Sequence, residues 1–278
     1  MYVIKNDSLE VGILDPVADR SYMGTRYCTG GYIFTVVDGR HGNLITGPTY
    51  PSEVIPSEGQ GMPDGFDLSP LQPRGSTSTK ALVLGIGICD LSENDVEEWC
   101  TWDVNTGKEQ IVFTTRHQFG GFDVELVRTI TLMNRTLRTA TCVRNEGEEF
   151  VPIRWFPHPF YPPPATSELC KFNIPISFPD NPGYELAPNG YICAKKWPWV
   201  QEDFAGKDGF FQLINHDASD NLIVMQRHPV LGLTSATCSY TPAFFPIWGN
   251  TVTFSWEPFL ERTLGWNQAT DWYIDYEF

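Results

Sequence analysis

Basic residues are scarce in this chain of 278 residues. Lysine and arginine total 19 against 34 aspartates and glutamates, which gives a formal net charge of -15 at pH 7. A surface with that excess of negative charge repels phosphate backbones and anionic lipid headgroups. We therefore expect neither a nucleic-acid partner nor a membrane partner.

Long apolar runs are also missing. The longest, residues 81–89, stops at Asp90 and is far too short to cross a bilayer. The first residues lack a basic stretch followed by an apolar one, so no secretory signal is visible, and we expect a cytoplasmic protein. The length suits one all-β unit, so we expect a single domain over residues 1–278.

Paired cysteine motifs are absent. The seven cysteines are scattered with no Cys-x-x-Cys spacing, which favours buried reduced thiols over disulfides or a zinc site. The acidic residues near Asp90 and Glu97 lack the tight oxygen-rich loop of a calcium site and are interpreted as solvated surface. We expect no metal.

Glycine and proline, by contrast, are abundant and leave little room for long helices. There are 24 glycines and 22 prolines. Between them lie β-rich runs, and residues 124–132 come close to alternating polar and apolar. Only residues 91–99 are predicted to be helical, with Ser92 as N-cap, and residues 159–199 are predicted to form long loops. The prediction is an all-β antiparallel β-sandwich with strands at 32–37, 109–118, 122–133, 136–144, 151–156, 210–214, 221–226, 234–240 and 251–256.

Two short motifs carry groups that can transfer protons. His158 lies between two prolines and among aromatic residues, and an unperturbed imidazole titrates near neutral pH. Glu257 follows a predicted strand and stands between a tryptophan and a proline, where a carboxylate is costly to bury unless it is paired. The alternative for each residue is a purely structural role, as a core histidine for His158 and as a glutamate facing water on an edge strand for Glu257.

The segment His158-Pro159-Phe160-Tyr161 resembles the His-Pro-aromatic-aromatic motif of aldose 1-epimerases, the galactose mutarotases. Glu257-Pro258 resembles the Glu-Pro that closes the active site in that family, and Tyr240-Thr241 resembles the dipeptide before it. The resemblance implies a supersandwich β fold and cofactor-free interconversion of the α and β anomers of a monosaccharide. It further implies that Glu257 takes the proton of the anomeric hydroxyl while His158 protonates the ring oxygen.

The chain departs from the family upstream of these motifs, because the family's Asn-Arg segment and His-Gly motif are not found in the corresponding region, residues 58–66. Candidates for substrate binding are therefore chosen only from their positions in the sequence. We also expect a stacking role for Trp155 or Trp199 and contacts with sugar hydroxyls from Gln201 or Asp203. The candidates are Arg26, Gln60, Asp64, His117, Arg154 and Trp197.

Three other functions stay open. A hexose-phosphate mutarotase would need a cationic pocket, to which Arg26, Arg154 and the pair Lys195-Lys196 would contribute. A sugar-binding or sensing protein without turnover would fit the absent His-Gly motif. A glycoside hydrolase or lyase is disfavoured because Glu257 lacks a second carboxylate of comparable motif strength.

Overall fold

The protein is almost entirely antiparallel β-structure. A computed structural model describes residues 1–195, 209–217 and 220–278, and in this part of the chain the only helical element is the 3₁₀ turn Arg20–Tyr22. The described residues form twenty-five strands, which make up one large sheet and several small ones. The predicted all-β fold class is therefore confirmed.

The large sheet has ten strands and every neighbouring pair in it is antiparallel. Its longest strand, Phe122–Met133, shows the alternation predicted from the sequence, with every second residue buried. In spatial order the strands are β16 (Tyr184–Leu186), β17 (Ile192–Ala194), β14 (Glu168–Phe172), β20 (Ile223–His228), β21 (Gly232–Cys238), β25 (Ala269–Glu277), β12 (Thr136–Asn145), β11 (Phe122–Met133), β10 (Gln110–Phe119) and β9 (Asp103–Thr106).

Five small sheets complete the architecture. They are β1 (Tyr2–Lys5), β2 (Leu9–Ile13), β3 (Ile33–Asp38) and β4 (Gly42–Asn43); β24 (Leu260–Leu264), β13 (Val151–Pro157) and β5 (Asp64–Gly65); β18 (Phe210–Leu213), β22 (Pro246–Gly249) and β23 (Phe254–Trp256); β6 (Lys80–Val83), β7 (Gly87–Asp90) and β8 (Asp95–Trp99); and β15 (Ile176–Ser177) with β19 (Asn215–His216).

Aromatic contacts join the small sheets to the large one. Trp272 of β25 packs edge-on against Trp155 of β13, with ring centroids 5.3 Å apart. Tyr276 of the same strand stacks on Trp256 of β23 at 6.1 Å. Because these rings belong to one continuous buried cluster, the small sheets form the second layer of a sandwich.

Two predictions about local structure were wrong. Residues 91–99 are a turn and the strand β8 instead of a helix, because Asn94 adopts a φ of 54° and Asp90 accepts hydrogen bonds from the backbone of Ser92, which closes a hairpin. The predicted loops at 159–199 contain four short strands, β14 to β17. Strands of two to five residues are too short to show a period in sequence.

The seven cysteines are all free thiols, and five of them are buried, as their spacing predicted. Among the described residues, no helix is both long and apolar enough to cross a membrane. In the same part of the chain, no three or more histidine, cysteine, aspartate or glutamate side chains group as metal ligands would.

Candidate active site

Two strand ends bring the predicted proton-transfer residues together. His158 directly follows β13, and its backbone N–H donates to the carbonyl of Pro63 at 2.8 Å. Glu257 directly follows β23, and its backbone N–H donates to the carbonyl of Pro246 at 2.9 Å. Both backbones are therefore anchored to neighbouring segments, which holds the two side chains in fixed positions.

The two side chains are in contact. The Nε2 atom of His158 lies 3.4 Å from the Oε1 atom of Glu257, and the residues are only 4% and 7% exposed. The contact is not aligned as a hydrogen bond, so Nε2 is a buried polar atom without a hydrogen-bond partner among the residues that the structure describes. The Glu257 side chain is buried and does not face bulk water, and one nitrogen of the buried imidazole is left unsatisfied.

A cavity of about 310 Å³ opens onto the pair. Phe160 lies against the imidazole with ring centroids 4.3 Å apart, and Trp248 meets it edge-on at 6.2 Å. A pocket with aromatic walls and a few polar groups is typical of small-molecule sites. Its lining residues are Arg26, Pro48, Glu58, His158, Phe160, Phe211, Trp248 and Glu257.

Burial moves the titration of Glu257 towards neutrality. Loss of water raises the pKa of its carboxyl to about 7, the Arg26 guanidinium opposes that rise, and the Asp67 carboxylate adds to it. The pKa of Asp67 is itself raised to about 6, chiefly by burial. Glu257 can therefore both hold and release a proton near pH 7, as a general acid or base must.

Burial lowers the pKa of His158 instead of raising it. Loss of water, and secondarily the positive charge of Arg26, holds the pKa of its imidazole well below the usual value. The sequence-based expectation of a histidine near its reference pKa was therefore wrong. In the free protein at neutral pH the ring is uncharged.

Tyr27 completes the surroundings of the imidazole. Its hydroxyl lies 2.9 Å from Nδ1 of His158 and 3.2 Å from the backbone oxygen of Glu58. Sequence reasoning missed Tyr27, Glu58 and Trp248, because 131 residues separate Tyr27 from His158 and no local pattern marks a contact over that distance. The only signal is that Tyr27 directly follows Arg26, which was singled out.

Of the residues predicted to bind substrate, Arg26 lines the cavity. Its Nη1 atom donates to the backbone oxygen of Ser57 at 3.1 Å, and its guanidinium lies over the ring of Tyr27 at 5.1 Å. Gln60 is buried next to this region without lining the cavity, and its backbone N–H donates to the hydroxyl of Tyr32 at 3.0 Å.

Asp64 lies in the core instead of the cavity. Its carboxylate accepts both terminal N–H groups of the buried Arg128 and the indole N–H of Trp155 at 3.0 Å. Those contacts occupy the oxygens that a sugar hydroxyl would need. Trp155 is itself almost fully buried, so it cannot serve as a sugar platform.

His117 and Arg154 also lie elsewhere. His117 faces the inner side of β10, where its Nε2 atom accepts the backbone N–H of Gly85 at 3.0 Å, and it lines a separate cavity. Arg154 pairs with Glu261 at 3.0 Å on the outer side of β13. Neither position allows a contact in the His158 cavity. The predicted residues Trp197, Trp199, Gln201, Asp203 and Lys196 lie outside the described residues.

Comparison with known proteins gives a structural likeness. A galactose mutarotase related enzyme from Lactobacillus acidophilus matches with a TM-score of 0.64 at 15% identity, covering 99% of this chain and 96% of that one. A galactose mutarotase-like protein from Lactobacillus casei matches with a TM-score of 0.58 at 12% identity, covering 100% and 99%. An aldose epimerase homologue from C. elegans matches at 0.50 and 12%, covering 99% and 97%.

No protein-family model and no curated protein matches the chain. At such low identity, the structural matches show that the chain has the galactose mutarotase-like fold that its motifs predicted. The fold alone does not determine an activity, because one fold supports many functions. The activity must be argued from the residues of the cavity.

Proposed function

We propose that the protein interconverts the α and β anomers of a free aldose by acid and base catalysis. The observation that carries the proposal is the contact of His158 with Glu257 at 3.4 Å beside a cavity of about 310 Å³. Opening a hemiacetal ring requires one group to take the proton of the anomeric hydroxyl and another to give a proton to the ring oxygen. Both oxygens are bonded to the same carbon, so two proton-transfer groups in contact can reach them together.

The cavity suits a neutral sugar better than a phosphorylated one. Among the described lining residues, Arg26 is the only cationic side chain, and Glu58 and Glu257 stand beside it. Phosphate groups are bound by clusters of cationic donors, which a single arginine beside acidic side chains does not provide. Trp248 and Phe160 offer apolar surface to the C–H face of a pyranose.

Polarimetry tests the proposal directly. Purified protein is added to freshly dissolved α-D-glucose or α-D-galactose, and the decay of optical rotation is compared with the spontaneous decay. We expect faster equilibration, and we expect Glu257→Gln and His158→Ala each to lower kcat/KM about 100-fold or more, the usual contribution of a general acid or base.

The matched control is His117→Asn, which removes another buried imidazole that lines a different cavity. Folded His117→Asn should retain the rate of the unaltered protein. If the protein binds sugar yet leaves the decay at its spontaneous rate, it is a carbohydrate-binding protein and the proposed catalysis is wrong. Acceleration confined to sugar phosphates would select a hexose-phosphate mutarotase instead.

A further inference from the structure

The hydroxyl of Tyr27 has two neighbours but only one proton to share. It lies 2.9 Å from Nδ1 of His158 and 3.2 Å from the backbone oxygen of Glu58. The side chain is buried, and burial holds the pKa of the phenol well above its usual value, so the hydroxyl keeps its proton.

Only one arrangement of protons satisfies both contacts. A carbonyl oxygen can only accept, so the Tyr27 hydroxyl must donate to Glu58, while a neutral imidazole nitrogen can either donate or accept. Nδ1 of His158 must then carry the hydrogen and donate to the Tyr27 oxygen. If Tyr27 donated to Nδ1 instead, the Glu58 carbonyl would lose this donor.

This arrangement decides the state of the other ring nitrogen. A neutral imidazole has one N–H, so Nε2 carries a lone pair, and it lies 3.4 Å from Glu257. We propose that Tyr27 is a positioning residue that fixes His158 as the Nδ1–H tautomer, so that the exchangeable proton of the free pair rests on Glu257 and Nε2 is the base.

The electrostatic surroundings agree with a neutral pair. Arg26 places a positive charge beside the imidazole and disfavours a second one there, and Asp67 favours the protonated form of Glu257. Glu58 is the remaining ionisable group in the cavity lining. Moving the proton to Nε2 would create a buried ion pair, whose desolvation is costly without aligned hydrogen bonds.

The catalytic consequence rests on the proposed function. Nε2 takes the proton of the anomeric hydroxyl, Glu257 gives its proton to the ring oxygen, the bond from C1 to that oxygen breaks, and a carbonyl forms at C1. The pair is then a carboxylate and an imidazolium. After rotation about C1–C2, closure on the other face returns both protons. This order reverses the assignment of acid and base that the family resemblance implied.

Nitrogen NMR of ¹⁵N-histidine-labelled protein tests the tautomer without any need for turnover. Five histidines give few signals, and His158→Gln identifies the signals of residue 158. At neutral pH we expect a protonated Nδ1 and an unprotonated Nε2. Tyr27→Phe should lose this preference and show a second species with the proton on Nε2.

Tyr32→Phe is the matched control, because it removes a hydroxyl from a buried tyrosine packed edge-on against Tyr27 at 6.1 Å, without a contact to the imidazole. Its histidine signals should not change. In the kinetic assay, Tyr27→Phe should lower kcat about tenfold with KM nearly constant, the loss expected from one hydrogen bond.

A protonated Nε2 in the unaltered protein at neutral pH would overturn the proposal, and so would an unchanged tautomer in Tyr27→Phe. Should that variant fail to fold, the measurement on the unaltered protein still decides. If the Nδ1–H tautomer is found but no anomer exchange occurs, the proposed function fails while the tautomer assignment stands.

Discussion

Replacing Asp64 by alanine should destabilise the fold without changing sugar binding. Asp64 belongs to β5, which pairs with the end of β13 immediately before His158. Its carboxylate is the partner of Arg128, which is 1% exposed, and it also accepts the indole N–H of Trp155. The substitution leaves a guanidinium and an indole in the core without their acceptor.

The expected cost follows from that burial. Breaking a buried ion pair by removing one partner costs about 3–5 kcal/mol, because the remaining charge is uncompensated. The half-buried pair of Arg138 with Asp275 has the same two-bond geometry, but its side chains are 36% and 21% exposed. Asp275→Ala should therefore cost about 1 kcal/mol or less.

Urea unfolding followed by tryptophan fluorescence measures both variants, and sugar affinity is measured on the folded protein. Since domains are stable by about 5–15 kcal/mol, Asp64→Ala should remain folded at low temperature. A double variant, Asp64→Leu with Arg128→Met, should recover much of the loss because it removes the unpaired charge.

Equal free energies of unfolding for Asp64→Ala and Asp275→Ala would refute the reasoning. A variant of normal stability with weakened sugar affinity would show instead that Asp64 contacts the substrate, as the sequence predicted.

Two further predictions concern the titration of the pair and the backbone near it. Because the reactive form of the pair holds one proton, kcat/KM should fall as pH rises through about 7, the pKa of Glu257. Arg26→Met should shift this fall in kcat/KM to higher pH, and Asp67→Asn should shift it to lower pH. The same midpoint in the pH profiles of both variants and the unaltered protein would contradict the prediction. In urea unfolding, Gly61→Ala should lower the free energy of unfolding by at least about 1 kcal/mol more than Gly42→Ala does. Both glycines have positive φ, but only at Gly61 would a Cβ meet the backbone, 2.4 Å from a carbonyl oxygen. Equal losses of stability in the two variants would contradict this steric clash.

The strand pattern was predictable because it depends on neighbours along the chain. β11 (Phe122–Met133) matches its predicted bounds, since twelve alternating residues leave only one face that can be buried. The hairpin at 90–95 was missed because its acidic residues and Ser92 also suit the first turn of a helix. The turn forms because Asn94 adopts a left-handed backbone conformation, which the sequence alone does not require.

The residues of the candidate site likewise include some that were predictable from their sequence neighbours and others that were not. His158 and Glu257 were predicted from the residues beside them, whereas Tyr27 and Trp248 were not, because they reach the imidazole from distant segments. Asp64 and His117 have chemistry that suits a sugar site, yet strand pairing turns both side chains into the interior.

The sequence by itself determined an all-β chain and two strand ends bearing an imidazole and a carboxylate, because period, turn residues and prolines act locally. Tertiary structure alone decided that the carboxyl titrates near pH 7 and the imidazole far below its usual range, since burial and the charge of Arg26 arise only when the sheets pack. It also decided which ring nitrogen of His158 faces Tyr27 and which faces Glu257.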